Sequence, residues 1–266
     1  MELEGRYEAI RSQRLGLAAI SYDSTDILKR FSDSRGITFP LLSDPGSAVI
    51  KRYGLLNTTV EPGTRTYGIP FPGTFMVDRA GIVRARYFED AYQERNTAAS
   101  VLVRQGATPF GPVVTAETAH LTLTAAVSDQ EVAPGKRFSI AFDIEPRRGM
   151  HVYAPGDHSY QVISVTIDSQ PWLRVAPLKY APSEIYHFKP LDERVPVYLK
   201  PFRLVQDVTI LATPEVQKML ANETTLTIGG RLNYQACDDK VCFNPQSVPL
   251  TWTIGLKPLD RERAKP

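Results

Sequence analysis

The 266 residues predict an α/β layer unit followed by an all-β sandwich. Three observations carry that reading. Up to residue 103 the apolar residues alternate between helical and strand-like spacing. From residue 117 they fall into short runs rich in β-branched and aromatic residues, separated by Pro, Gly and Asp turns. Between the two, RQGATPFGPVVTA (104–116) follows neither period and reads as a linker.

In the first unit, Leu3, Tyr7 and Ile10 sit at helical spacing within residues 2–12, and LGLAAIS (15–21) reads as a buried strand. Asp23 or Ser24 caps a helix with Ile27, Leu28 and Phe31 on its inner face and Gly36 just past its end. After FPLLSD, Asp44 is an N-cap with Pro45 at the first helical position; Ala48, Val49 and Tyr53 form the inner face, and Gly54 stops the helix. GTFMVD (73–78), a turn at Arg79-Ala80-Gly81, and IVRARYF (82–88) form a hairpin. A last helix covers 96–103, and the order of elements is that of an α/β layer.

In the second unit the strands are AHLTLTAAVS, KRFSIAFDIEP, HVYAP, YQVISVTID, WLRVAPLKY, VPVYLKPFRL, DVTILAT, TTLTIGGRLNYQAC and SVPLTWTIGL. One helix, TPEVQKMLA (213–221), crosses between strands, with Thr213 as its cap and Pro214 in its first turn. The unit spans 117–256, and a polar tail follows at 257–266.

Composition excludes several functions. Lys and Arg number 31 against 29 Asp and Glu, a formal charge of +2, without the basic excess of a nucleic-acid binder. No apolar run approaches the ~20 residues of a membrane span. No positively charged start followed by an apolar stretch marks a signal peptide. No cofactor motif is found.

The 2 cysteines, Cys237 and Cys242, are the most informative residues. YQAC, DDKV and CFNP read as two strands joined by a tight loop. Residues facing each other across it have Cα atoms ~4.5–5.5 Å apart, within disulfide range. Asp238 and Asp239 raise the thiol pKa of Cys237, and Lys240 partly offsets them. The pair is open to three readings: a structural staple, a redox-active dithiol, or half of a metal site. So short a loop adds little as a staple, which favours redox chemistry. His120, His151, His158 and His187 have no ligand-like spacing to each other or to the cysteines, which argues against metal.

YQACDDKVCFNP (234–245), GMHVYAPG (149–156) and ERVPVYLKPFRL (193–204) occur in the order in which similar segments occur in the periplasmic N-terminal domain of the thiol:disulfide interchange protein DsbD. The β half resembles that family over about 117–256. The resemblance implies an immunoglobulin-like sandwich with Cys237 and Cys242 as its redox pair, Cys237 attacking and Cys242 resolving. It also implies His151 and Tyr153 flanking the disulfide, and an aromatic cap near His187–Leu191 with Phe188 as its best candidate. Implied partners are thioredoxin-like or membrane thiol-disulfide exchange proteins, and the implied location is the bacterial periplasm. Ordinary packing is the alternative for His151, Tyr153 and Phe188.

GLAAISYDS, DPGSAVIKRYGL and FPGTFMVDRAGIVRARYFED resemble the later part of AhpC/TSA peroxiredoxins and TlpA-like redoxins, which have a thioredoxin-like fold. The most specific element is Pro-x-Thr-Phe-x-x-Asp-x-x-Gly at 72–81. It puts Pro72 where that fold places a cis-proline, with a trans proline entering a strand as the alternative. Gly73 precedes Thr74, so the arginine that peroxiredoxins carry near this strand is not evident. The first strand and the reactive cysteine of these families are missing from residues 1–103, and the expected fold is therefore incomplete at its N-terminus. That expectation leaves unpaired edges at 15–20 and 73–78. The leading functional expectation is a thiol-disulfide oxidoreductase acting through Cys237 and Cys242. The alternatives are a protein-binding module with a structural disulfide, or a fragment of a peroxide reductase whose nucleophile lies upstream.

Overall fold

A computed structural model describes residues 2–64, 67–88, 94–188 and 192–258. The chain divides into two compact units between Ala98 and Ala99, five residues earlier than the expected limit at 103.

The first unit carries α1 (Glu2–Gly5), α2 (Tyr7–Ser12), β1 (Ala19–Ser21), α3 (Thr25–Arg35), β2 (Leu41–Ser43), α4 (Ala48–Arg52), β3 (Gly73–Val77), β4 (Val83–Phe88) and β5 (Arg95–Asn96). Ser24 caps α3 by accepting from the Ile27 N–H at 3.4 Å, and Gly36 closes it in the left-handed region at φ 62°. Of the expected inner face only Leu28 is buried; Ile27 and Phe31 are exposed. Asp44 works at longer range than a simple N-cap. Its carboxylate accepts from the Val49 and Ile50 N–H groups at 3.0 and 2.8 Å, across a turn that includes Pro45. The helix therefore starts later than expected, and it buries Ile50 rather than Val49 or Tyr53.

β1 pairs in parallel with β2, and β3 pairs antiparallel with β4. Among the described residues these are two separate two-stranded sheets, with Ile20, Leu42, Val77 and Val83 exposed. No peptide bond among the described residues is cis, so Pro72 enters β3 through a trans bond, the alternative the sequence left open. The fixed φ of proline suits an extended entry to a strand without a cis bond.

The second unit begins within α5 (Ala98–Arg104). It continues through β6 (Val113–Glu117), β7 (Leu121–Val127), β8 (Glu131–Val132), β9 (Lys136–Pro146), β10 (His151–Tyr153), β11 (Ser164–Ile167), β12 (Leu173–Val175), β13 (Glu184–Phe188), β14 (Glu193–Tyr198), β15 (Phe202–Ile210), α6 (Pro214–Met219), β16 (Thr225–Tyr234), β17 (Ala236–Cys237) and β18 (Gln246–Leu256). Residues 104–116 are not a free linker, because Val113–Glu117 forms an edge strand along β7, with Val113 opposite Ala126 and Glu117 opposite Thr122. The one-sided exposure of that strand hides its period from a reading of polarity alone. VPVYLKPFRL is two strands, β14 and β15, broken at Leu199–Pro201, where proline offers no N–H to a ladder. Thr213 caps α6 as expected, accepting from the Val216 N–H at 3.3 Å. Of the expected tail, residues 259–266 lie outside the described residues.

One sheet runs β12-β15-β9-β7-β6, a second β11-β16-β18-β8, and a third β13-β14-β10-β17. The first two share one core through Leu123, Phe138, Phe142, Ile228, Leu250 and Trp252. Full burial of side chains of this size contributes roughly 1.5–3 kcal/mol each. Trp252 lies edge-on to Phe142 at 6.0 Å, and its Nε1–H donates to the Ala125 carbonyl at 3.0 Å. A buried carboxylate, Asp207, accepts from Arg104, Ser139 and Lys179 at 3.0, 2.7 and 2.7 Å. Burial pushes its pKa up, but the Arg104 charge and the hydrogen bonds from Lys179 and Ser139 win and hold it below the usual carboxylate range. No helix among the described residues is long and apolar enough to cross a membrane.

Candidate functional site

The site is built on the third sheet by strand alternation. Successive residues of a strand point to opposite faces. On β10, Val152 joins the large core, while Tyr153 turns to the other face. On β17, Ala236 joins the core and Cys237 the other face, and on β14, Val195 and Val197 share that face. Tyr153, Val195, Val197 and Cys237 thus form a small second cluster, with Tyr160 and Tyr186 packed against it. β10 lies between β14 and β17, so His151 falls directly opposite Cys237 and Tyr153 opposite Val197.

The expected two-strand hairpin around the cysteines is more elaborate. β16 and β18 pair up to Tyr234 and Gln246, and the chain between them leaves that sheet so that β17 can join β10. Cys237 and Cys242 then face each other as an isolated antiparallel bridge and form a disulfide, with Cα atoms 4.1 Å apart. The loop is held by its own backbone. The Asp238 carboxylate accepts from the Lys240 and Val241 N–H groups at 2.7 and 2.6 Å, and Phe243 N–H donates to the Ala236 carbonyl at 2.9 Å. Those backbone donors, with the Lys240 and His151 charges, hold the Asp238 pKa below its ordinary value.

The two sulfurs are not equivalent. Cys237 is 1% exposed, whereas Cys242 is exposed. The resemblance implies Cys237 as the attacking sulfur; of the two residues, it is Cys242 that is exposed. The Tyr153 hydroxyl lies 2.9 Å from Cys237 Sγ and 3.4 Å from Cys242 Sγ. A disulfide sulfur offers only an acceptor, so the hydroxyl is the donor. Burial, and then the neighbouring Tyr160 and Glu193, push the Tyr153 pKa well up, so its proton stays on the oxygen. His151 stacks at a tilt on Tyr186 at 4.6 Å; burial lowers its pKa, and the Asp238 charge partly restores it.

Of the residues named from sequence, Cys237, Cys242, His151 and Tyr153 come together here. Phe188 ends β13 opposite Glu193 and is not among the aromatic residues packed on the cluster; that place is taken by Tyr186 and Tyr160. Lys189–Leu191, the rest of the expected cap, lies outside the described residues. Pro72 belongs to the first unit. Sequence reasoning missed Tyr160, whose ring lies parallel to Tyr153 at 4.1 Å and whose hydroxyl donates to Glu193 at 2.7 Å. It missed Tyr186 and Glu193 as well. The alternation of Glu193, Val195 and Val197 along β14 is the signal that could have found Glu193. Gly156 anchors the loop that carries Tyr160, since a Cβ there would lie 2.3 Å from Pro196 Cγ.

The AhpC/TSA family matches residues 1–86. A peroxiredoxin-named protein of Mycobacterium tuberculosis is 39% identical over 74 residues, covering 27% of this chain and 46% of that protein. Alkyl hydroperoxide reductase E of Mycobacterium bovis is 43% identical over 68 residues, covering 25% of this chain and 40% of that protein. The chain therefore spans less than half the length of these two relatives. Among solved structures, the N-terminal periplasmic domain of ScsB from Proteus mirabilis aligns with a TM-score of 0.38 at 12% identity, covering 53% of this chain and 49% of that one. Residues 1–86 are thus similar to peroxiredoxin-type redox proteins of the AhpC/TSA family, and the disulfide lies outside the matched residues.

Proposed function

We propose that this chain is a thiol-disulfide oxidoreductase whose working group is the Cys237–Cys242 disulfide of an immunoglobulin-like, DsbD-like β unit. The observation that carries the reading is the pairing of an exposed Cys242 with a buried Cys237 that holds a hydroxyl contact. An exposed sulfur can be attacked, and a buried one makes a defined leaving group. The step is thiolate attack on a disulfide through a mixed disulfide. Both cysteines of these 266 residues lie in the second unit, so residues 1–98 supply no thiol of their own to this exchange. The partner is a dithiol protein of thioredoxin-like or membrane-bound exchange type. The compartment we propose is the bacterial periplasm, on the sequence resemblance of 117–256, and an oxidising compartment suits a standing disulfide.

The test is a trapping experiment with a reduced thioredoxin-type protein. Wild type should oxidise it. Cys237→Ser, with Cys242 first activated as a mixed disulfide with thionitrobenzoate, should release thionitrobenzoate and accumulate a protein–protein mixed disulfide with a partner lacking its resolving cysteine, and Cys242→Ser treated alike should trap little. If the wild-type chain leaves such dithiols reduced, and its disulfide has a potential below about −300 mV, the bond is structural and the proposal fails.

A further inference from the structure

When a disulfide opens, the bond's electron pair leaves with the sulfur that was not attacked. Stabilising that departing thiolate speeds the step, because a good leaving thiolate is a stable one. Here the attacked sulfur is the exposed Cys242 and the departing one is Cys237, enclosed by Tyr153, Val195 and Val197. Burial away from water makes a bare thiolate costly unless a donor meets it. A donor stands at 2.9 Å, the Tyr153 hydroxyl, which also reaches Cys242 Sγ at 3.4 Å. Its ring is fixed from the far side. Tyr160 lies parallel to it, 4° between planes, and is itself tied to Glu193.

We propose that Tyr153 is a catalytic hydrogen-bond donor to the Cys237 thiolate during disulfide opening, with Tyr160 and Glu193 as positioning residues that hold its ring. The inference rests on the exchange reading above. In the first step a thiolate of an incoming dithiol attacks Cys242 Sγ. An S–S bond forms between partner and Cys242, the Cys237–Cys242 bond breaks, and its electron pair settles on Cys237 Sγ against the Tyr153 O–H. In the second step the partner's other thiol, having lost its proton to solvent, attacks the partner's own first sulfur and releases Cys242 as a thiolate. The partner ends as a disulfide, two electrons poorer, and the chain ends as a dithiol after both thiolates take up protons from solvent. A phenol is a weaker acid than a thiol, so Tyr153 keeps its proton and acts as a donor only.

The other titratable or charged groups around this contact are His151 on the same strand, Glu193 on β14, Tyr186 on β13, Asp238 in the cysteine loop, and His158 and Tyr160 in the loop after β10. His158 Nε2 is engaged by the Ala154 carbonyl at 2.8 Å. Among these groups Tyr153 is the one in hydrogen-bond contact with both sulfurs.

The experiment is reduction of the oxidised full chain by dithiothreitol, quenched and read by alkylation, as a function of pH. Tyr153→Phe keeps the stacked ring and removes the donor. It should slow reduction by about ten- to hundredfold, the worth of one hydrogen bond to a charged group, and should raise the pKa of the Cys237 thiol. Tyr160→Phe, which keeps the neighbouring ring, should slow it far less. A ring-fluorinated tyrosine at position 153 is a more acidic donor and should speed reduction, an outcome that misfolding cannot imitate. A Tyr153→Phe chain reduced at the wild-type rate with an unmoved thiol pKa would overturn the proposal. So would a Tyr160→Phe chain slowed as much, or fluorination without acceleration. Dithiothreitol needs no docking, so a wild-type chain that refuses protein dithiols refutes the exchange reading while the Tyr153 comparison still gives its own answer.

Discussion

Opening the Cys237–Cys242 bond should cost the second unit about 2 kcal/mol of stability and leave it folded. The magnitude follows from the separation of 5 residues between the two cysteines. In the chain-entropy description, cross-linking so short a loop restricts the unfolded chain by about 2 kcal/mol at 25 °C, near the lower end of the range for disulfides. The native side of the balance changes little. Asp238 still accepts from Lys240 and Val241, Phe243 N–H still reaches Ala236, and β17 keeps its place beside β10. The large core is untouched, because Cys237 belongs to the separate small cluster.

The measurement is urea unfolding followed by tryptophan fluorescence, with and without a phosphine reductant, and on the Cys237→Ser/Cys242→Ser double variant. Both tryptophans, Trp172 and Trp252, lie in the second unit, so the signal reports that unit alone. With a urea slope of roughly 2 kcal/mol per molar, the midpoint should fall by about 1 M while the transition stays cooperative. A loss of about 5 kcal/mol, or disappearance of the cooperative transition, would refute the reasoning. The bond would then be a clasp that the fold depends on, and a group that must open at every turnover cannot be one.

Asp207→Asn should destabilise the second unit by about 3 kcal/mol in urea, since it removes the buried charge that Arg104 and Lys179 both meet. Because the Asp207 pKa is depressed in the folded state, its contribution is full above the ordinary carboxylate pKa and is lost as pH falls through the lowered value; the variant should therefore show a weaker loss of stability on acidification than wild type. Gly156→Ala should cost roughly 1–3 kcal/mol, because the new Cβ meets the rigid Pro196 ring, and it should slow disulfide reduction by displacing the loop that carries Tyr160. Unchanged stability and unchanged reduction in that variant would show that the loop does not depend on this close approach.

The part of the site legible from the residues themselves is the cysteine pair, since the turn between Cys237 and Cys242 is short enough to bring them together. His151 and Tyr153 were legible only through the resemblance of their segment, and the structure brings them to the pair. What escaped reading was non-local. That β17 leaves its hairpin to pair with β10 is decided by competition between two sheets, and nothing in YQACDD announces it. Which of the two cysteines is exposed follows from that choice, and the spacing of the pair does not disclose it. Tyr186 and Phe188 alternate along β13 and are equally aromatic; only the register with Val195 and Glu193 decides which one packs on the cluster. In the first unit the helix boundaries were approximate for a different reason. Asp44 satisfies N–H groups five and six residues ahead, and one-residue capping rules do not anticipate so long a reach.

The difference between the two sulfurs is a property of the fold rather than of the cysteines. Cys237 ends a strand whose ladder with β10 holds it beside Tyr153, and Cys242 follows outside any strand, touching that ladder only through its bridge to Cys237. In the proposed exchange, attack at Cys242 would move a residue outside the named strands, while Cys237 would keep its backbone pairing and its hydroxyl contact. A symmetric four-residue hairpin would place both sulfurs on rungs of one ladder and would make them equivalent leaving groups. By diverting β17 to pair with β10, the chain sets the exposed cysteine apart from the one held in the ladder, and that asymmetry is what the proposed exchange would use.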